Sequence, residues 1–275
     1  MKFAQIFASA AISGFAMLLA AHVSAQPAQQ SYATIVRIQG EARYSHNGNN
    51  WYPLTVGQTL GAGDVIQTAV DSQVDMVLGN KITSHIPIAP SVGSAKIGSP
   101  PDANVRGLVA YKAAAEQNVI KMQGGTVLAI NKLMISDTGV GTVSDTELDL
   151  RKGGIFGNVK KLSADSQFLI DMPNGVAGVR GTTFSLSVDP STLAAICQVL
   201  TGSMVVSQTS SGGTTTEVVN SLQALNALGQ VVALSQEAIS ALESEATFTV
   251  TIMEGIITFA NDTTTVYISP VSGVQ

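Results

Sequence analysis

The sequence predicts an all-β fold, and three observations carry that prediction. Through most of the chain apolar and polar residues alternate with period two, the pattern of half-buried strands. The alternating runs break at Gly, Asn and Asp at short intervals, where turns belong. Helical spacing is confined to two short stretches. The architectures that fit are a sandwich or a short β-solenoid-like roll, with one or two short helices and a β-rich C-terminal extension. No strict short period, such as a nonapeptide calcium repeat, runs through the chain.

The elements follow in order. Tyr32 to Ile38 is β-rich, Asn47-Gly48-Asn49-Asn50 is a turn, and Trp51-Tyr52 opens the next strand. Gly57 and Gly61-Ala62-Gly63-Asp64 punctuate before Val65 to Thr68. Val70-Asp71-Ser72 turns into Val74 to Leu78, which ends at Gly79-Asn80. Residues 82 to 106 carry Pro87, Pro90, Pro100 and Pro101 and read as an inserted excursion. A short helix over Asp102 to Gln117 is predicted from Leu108, Tyr111, Ala114 and Ala115. Further strands are Val119 to Met122, Thr126 to Ile130, Thr146 to Leu150, Ile155 to Val159, Gln167 to Ile170 and Thr183 to Val188. Pro173-Asn174-Gly175 is a turn. Ile196 to Leu200 and Met204 to Gln208 resemble a hairpin around Thr201-Gly202-Ser203. Ser211 to Gly213 then turns into Glu217 to Val219. Ser235 to Ala246 reads as a helix capped by Ser235, with Glu237 in its first turn. Thr247 to Ile252, Ile256 to Ala260 and Thr264 to Ile268 complete the strands, with turns at Gly255 and Asn261-Asp262.

The N-terminus reads as an address. Lys2 supplies a positive start, Phe3 to Ala21 is apolar and small, and Val23-Ser24-Ala25 forms a cleavage-like site ahead of Gln26. Residues 1–25 are therefore expected to be a secretory signal peptide. The alternative is an uncleaved anchor, against which Gln5, Ser9 and Ser13 interrupt a run already short for a bilayer span. A periplasmic or extracellular location follows, with no membrane span after cleavage.

Composition narrows the function classes. Of 275 residues 45% are hydrophobic and only 12% charged, so Ser, Thr, Asn, Gln and Gly must cover the surface. Fourteen basic and 19 acidic residues give a net charge of -5, which argues against nucleic-acid binding. Cys197 is the single cysteine, so no internal disulfide and no Cys-rich zinc site can form. Its neighbours Ala195, Ile196 and Val199 are apolar, and it is expected to be buried and inert. Arg180 is the last basic residue, and the 95 residues beyond it carry seven acids. The front from residue 26 to 180 is nearly balanced, with 13 basic and 12 acidic residues.

Chemistry-bearing patterns are few. His46 lies at a turn and His85 in the Pro-rich excursion, with nothing in the sequence to pair them. No HExxH, GxSxG or P-loop occurs. Asp145, Glu147 and Asp149 alternate in one strand and so share a face. Such carboxylates suit calcium binding or glycoside hydrolysis, or form a solvated strand face with Lys152 and Lys160 nearby. The segment Asn174 to Thr183 places glycines at 175, 178 and 181 around Arg180. It reads either as a structural corner, with the guanidinium on carbonyls or on an aspartate such as Asp171, or as a ligand contact through Arg180, Gly178, Gly181 and Thr182. No catalytic residue, metal ligand or cofactor is expected.

That segment also carries a resemblance. Ala177-Gly178-Val179-Arg180-Gly181-Thr182-Thr183-Phe184 resembles the "VRGT-F" stretch of the FecR-like domain. Val36 to Glu41, Trp51-Tyr52-Pro53-Leu54 with Gly57 to Leu60, Gly63 to Thr68, and Leu148 to Gly153 resemble further motifs of that domain in the same order. The resemblance spans about residues 33 to 206. It implies a β module acting in the cell envelope, since the best-understood members are transmembrane regulators whose periplasmic domain contacts an outer-membrane transporter. Lys2 already belongs to the signal, so the cytoplasmic sigma-factor-holding segment of those regulators is not expected. The family has no catalytic residues to carry over. The expected organisation is a signal over 1–25, a FecR-like β domain over 26–206 with an inserted excursion over 82–118, and a β-rich acidic extension over 207–275.

The function expected is therefore an exported, non-enzymatic FecR-like protein that binds an envelope or extracellular protein or self-associates. One alternative is a surface or matrix protein assembling by strand addition through Thr247 to Ile268. Another is a carbohydrate-binding or hydrolytic module using Trp51 and the acidic strand, although Trp51 is expected to pack in the core.

Overall fold

Period-two alternation needs a partner strand on each side and a core beneath one face, and the chain supplies both. The computed structural model describes residues 28–79, 110–113, 118–138, 141–210, 212–250, 253–259 and 262–268. The expected signal peptide, His85 and most of the Pro-rich excursion lie outside the described residues. The strands are β1 (Gln29–Gln30), β2 (Tyr32–Gln39), β3 (Ala42–His46), β4 (Asn50–Pro53), β5 (Thr59–Leu60), β6 (Asp64–Thr68) and β7 (Gln73–Gly79). There follow β8 (Ala110–Ala113), β9 (Asn118–Met122), β10 (Val127–Asp137), β11 (Thr142–Val159), β12 (Gln167–Met172), β13 (Gly175–Val188) and β14 (Ala195–Ser210). The chain continues through β15 (Gly213–Asn220), β16 (Gln223–Leu225), β17 (Val231–Ala233), helix α1 (Gln236–Val250), β18 (Met253–Phe259) and β19 (Asp262–Ile268). Among the described residues the fold is all-β with one helix.

Sixteen of the strands form one continuous open sheet that folds into two layers. One layer runs β4-β3-β6-β10, then the first half of β11, β12, the first half of β13, the second half of β14, and β15. The other runs β5-β2-β7-β9, then the second half of β11, the second half of β13, the first half of β14, β16 and β17. The long strands β11, β13 and β14 belong to both layers. Each changes its inward-facing phase at a bend, as strands that switch sheets do. In β11 Leu148 and Leu150 face the core before Gly153, and Ile155 and Val159 after it. In β13 the inward set shifts from Ala177 and Val179 to Phe184, Leu186 and Val188. In β14 it shifts from Cys197 and Val199 to Met204 and Val206. All of these join one hydrophobic cluster between the layers.

The bends at Gly181 and Gly202 explain why those residues are glycines. Both have positive φ, 65° and 85°, a region costly for residues with a Cβ. A Cβ on Gly202 would also lie 2.2 Å from the Gly181 carbonyl oxygen, because the two strands turn the corner in contact. The β13–β14 register slips between Arg180 and Thr183 at the same place.

Helix α1 lies on the outer face of the second layer. Its Leu242 packs with Phe156 and Leu200, and Leu234, Ile239 and Ala246 flank them. A row of charges crosses the same face. Arg37, Asp75 and Lys121 are direct cross-strand partners on β2, β7 and β9, and Lys121 Nζ pairs with Glu245 of α1.

Several sequence expectations change. The expected hairpin around Thr201-Gly202-Ser203 is one strand, β14, bent at Gly202, because both flanks pair with β13. Thr146 to Leu150 and Ile155 to Val159 are likewise the two halves of β11. The helix expected over Asp102 to Gln117 is overturned at Ala110–Ala113, which form β8 beside β18. Residues 247–250 continue α1 rather than starting a strand. Gly255 lies inside β18 rather than at a turn. In each case long-range pairing or packing overrode a local pattern.

Candidate functional site

The structure brings one group of expected site residues together and separates the others. The Arg180 segment is a corner. Thr182 is 1% exposed, and its hydroxyl donates to the Ser203 carbonyl at 2.6 Å, tying β13 to β14 across the bend. Gly181 supplies the bend itself. Gly178 is not crowded, since an added Cβ would meet only Leu169 and Val205 at 3.8 and 3.9 Å. Arg180 is exposed, and its guanidinium has no hydrogen-bond or ion-pair partner among the described residues. Asp171, considered as its dock, engages a different group.

That group is a carboxylate ladder on the outer face of the first layer. Asp145, Glu147 and Asp149 do share a face of β11, half-buried beside the inward Thr146, Leu148 and Leu150. Asp171 of β12 is the direct cross-strand neighbour of Asp149. The neutralising cations are Lys132, paired with Asp145, and Arg151, whose Nε lies 2.8 Å from Asp149 Oδ2. They replace the expected Lys152 and Lys160. Asn131 Nδ2 reaches Glu147 Oε1 and Asp171 Oδ2, both at 3.4 Å. Burial, with Glu147 beside it, holds the Asp171 carboxyl above its ordinary range, while the Asn131 bond opposes that. Hydrogen bonding to Asp145 raises Lys132. No group of three or more metal-ligating side chains occurs among the described residues. The arrangement is a polar face on which two cations pair with two of the four carboxylates, while Glu147 and Asp171 share the neutral Asn131 amide.

Two further expectations concerned single residues. Cys197 is fully buried with its Sγ 3.2 Å from Met204 Sδ, and burial pushes its thiol up to about 12. It is a core side chain. His46 is not isolated, because its Nδ1 meets Asp64 Oδ1. Asp64 Oδ2 also accepts the Gly61 N–H at 2.8 Å, so the pair fixes the β5–β6 turn.

Trp51 corrects the sequence expectation most directly. It is 36% exposed on strand β4 and lies outside the core. Arg43 Cζ lies 4.6 Å over its ring, and Arg43 Nε and Nη2 donate to Gln67 Oε1 at 2.9 and 2.7 Å. Register makes this stack legible only afterwards: Arg43 and Gln67 face each other across β3 and β6, and Trp51 is two residues along on β4.

The outer face of the first layer continues past the acids into an apolar strip. Glu147, Leu169, Gly178, Val205 and Val218 stand side by side on β11 to β15. Val205 and Val218 are 46% and 52% exposed. Sequence alternation alone could not find this strip, because its members come from separate strands.

Residues 110–220, which hold the corner, the ladder and the Val205–Val218 strip, match the family model of the FecR protein. This stretch of the chain is similar to the FecR domain. The front motifs between residues 36 and 68 lie outside the matched span of the FecR domain. Two crystal structures of a candidate anti-sigma factor from Parabacteroides distasonis are similar in part, at 15% and 16% identity and a TM-score of 0.34. Each alignment covers 48% of this chain and 59% of the solved one, so the chain spans less than two thirds of those proteins. No curated protein matches the chain.

Proposed function

We propose that this chain is an exported, non-enzymatic FecR-domain protein that acts as a protein-interaction module in the periplasm or outside the cell. Export is supported by the pattern of residues 1–25. The single observation that carries the interaction reading is the Val205–Val218 strip. A paired, exposed apolar stripe inside the FecR domain, rimmed by the Asp145–Asp171 ladder and by Arg180, has the layout of an interface core with a polar rim. Arg180 and Gly178 then act as contact residues, while Gly181 and Thr182 shape the corner that presents them. The test is co-purification of the mature protein with envelope extracts, run beside a Val205→Asp/Val218→Asp double variant. A partner, or a self-complex measured by light scattering, retained by wild type and lost by the folded double variant is the expected result. Equal retention by both sinks the assignment of this face.

A second reading is self-assembly by strand addition, favoured by β15 and β19. Each bonds a neighbour within its sheet on one side only among the described residues. A mature protein that stays monomeric at high concentration, and whose deletion of residues 253–275 changes nothing, rejects it.

A further inference from the structure

The groove between the β2–β3 turn, the β3–β4 hairpin and the end of β6 lies outside the matched FecR span and has no role in the interaction reading. It encloses about 750 Å³, within the range of small-molecule sites. Its lining includes Glu41, Arg43, Trp51, Tyr52, Pro53 and Gln67.

Four properties of this lining restrict what fits. Two aromatic side chains, Trp51 at 36% and Tyr52 at 47% exposure, sit on a surface strand instead of in the core. Arg43 is held in place: Gln67 accepts two of its N–H groups, and its guanidinium lies over Trp51. Three of its five N–H donors remain for a ligand. Glu41 and Gln67 add acceptors, and the Gln67 amide adds donors. Arg43 and Glu41 cancel in charge, so the groove attracts neither anions nor cations strongly.

The edge of β4 is also poorly suited to a peptide strand. Leu54 N donates to the Ala42 carbonyl at 2.9 Å, which fixes the alternation of the β3–β4 ladder. Trp51 and Pro53 therefore direct their backbones to the open edge, and Pro53 has no N–H to offer.

An apolar ring wall next to fixed donors and acceptors, without net charge, complements a molecule having one C–H face and a rim of hydroxyls. We propose that this groove binds a neutral saccharide. The pyranose C–H face lies against the Trp51–Arg43 stack, and its hydroxyls share hydrogen bonds with Arg43, Gln67 and Glu41.

Trp51 is the only tryptophan in the chain, so intrinsic emission reports on this groove alone. The full chain is titrated with gluco-, manno-, galacto- and N-acetylglucosamine oligosaccharides, and with polygalacturonate as the acidic probe. A saturable emission change with at least one neutral oligosaccharide is expected. Calorimetry then reads the variants. Trp51→Phe keeps binding, Trp51→Ala abolishes it, and Gln67→Ala, which frees Arg43, weakens it about tenfold. Unchanged melting temperatures establish that each variant is folded. No response to any neutral oligosaccharide, binding of polygalacturonate only, or undiminished binding by folded Trp51→Ala overturns the proposal. Val205 and Val218 do not line this groove, so loss of either site leaves the other standing.

Discussion

Gly202 and Thr182 show how much one residue can carry at the corner. Gly202→Ala puts a methyl group into the Gly181 carbonyl at a positive φ, so neither the backbone nor the neighbour can yield cheaply. A loss of about 3 kcal/mol or more is expected in urea unfolding. Thr182→Val keeps the shape but removes the bond to Ser203, and about 1–2 kcal/mol is expected. Gly178→Ala is the control: its added Cβ has room, so folding should hardly change. Cys197 makes a separate test. Buried and pushed up to about 12, its thiol should resist a maleimide or disulfide reagent in native protein and react fully in denaturant. Native labelling at the rate of a free thiol would show that the core opens there.

Elements are where buried charge matters. The face under α1 holds Arg37, Asp75, Lys121 and Glu245 together. Asp75 is fully buried, and Arg37 Nε approaches its Oδ2 at 3.0 Å without an aligned hydrogen bond to either oxygen. Burial outweighs the attraction of Arg37 and Lys121 and raises Asp75 from 3.8 to about 6. A raised carboxyl binds a proton more tightly in the folded chain than in the unfolded one. Its contribution therefore favours folding as pH falls through 6 toward 4, and is lost as pH rises through the same window. The shift corresponds to a difference on the order of 3 kcal/mol. Wild type measured against Asp75→Asn at pH 4.5 and 7.5 should show about 2 kcal/mol of that relative loss at the higher pH, the remainder lying below pH 4.5. Parallel stability curves for the two proteins would refute the buried-charge account. The helix above is also longer than its sequence pattern suggested. Residues 247–250 are Thr-Phe-Thr-Val, with β-branched residues typical of strands, yet they extend α1. Local propensity is a weak prior once a helix has begun and its face is packed.

For the whole molecule, the shared strands determine behaviour. Since β11, β13 and β14 contribute to both layers, neither layer can unfold and leave the other intact. Trp51 emission, which reports the edge of one layer, should follow the same denaturant transition as backbone circular dichroism. Separated midpoints would mean that the β3–β4 edge opens on its own. The acidic rear of the sequence is also partly accounted for within the fold. Glu245 pairs with Lys121, Glu237 sits at the start of α1, and Asp189 accepts bonds from Ser191 and Thr192. These bonds hold the Asp189 carboxyl low, at about 2.

The all-β class, most strand positions, the turns at Asn47-Gly48 and Pro173-Asn174, a buried Cys197 and the common face of Asp145, Glu147 and Asp149 were legible in the residue pattern alone. Each of these depends on neighbours a few residues away, through alternation, turn chemistry or local apolar content. Long-range pairing was needed to learn that Gly153 and Gly202 bend strands instead of ending them, that Lys132 and Arg151 pair with two acids of the ladder, and that Trp51 stands outside the core beside Arg43 and Gln67. Those outcomes depend on register between strands far apart in the chain. A one-residue change in register sends a side chain to the opposite face, and local pattern carries no information about it.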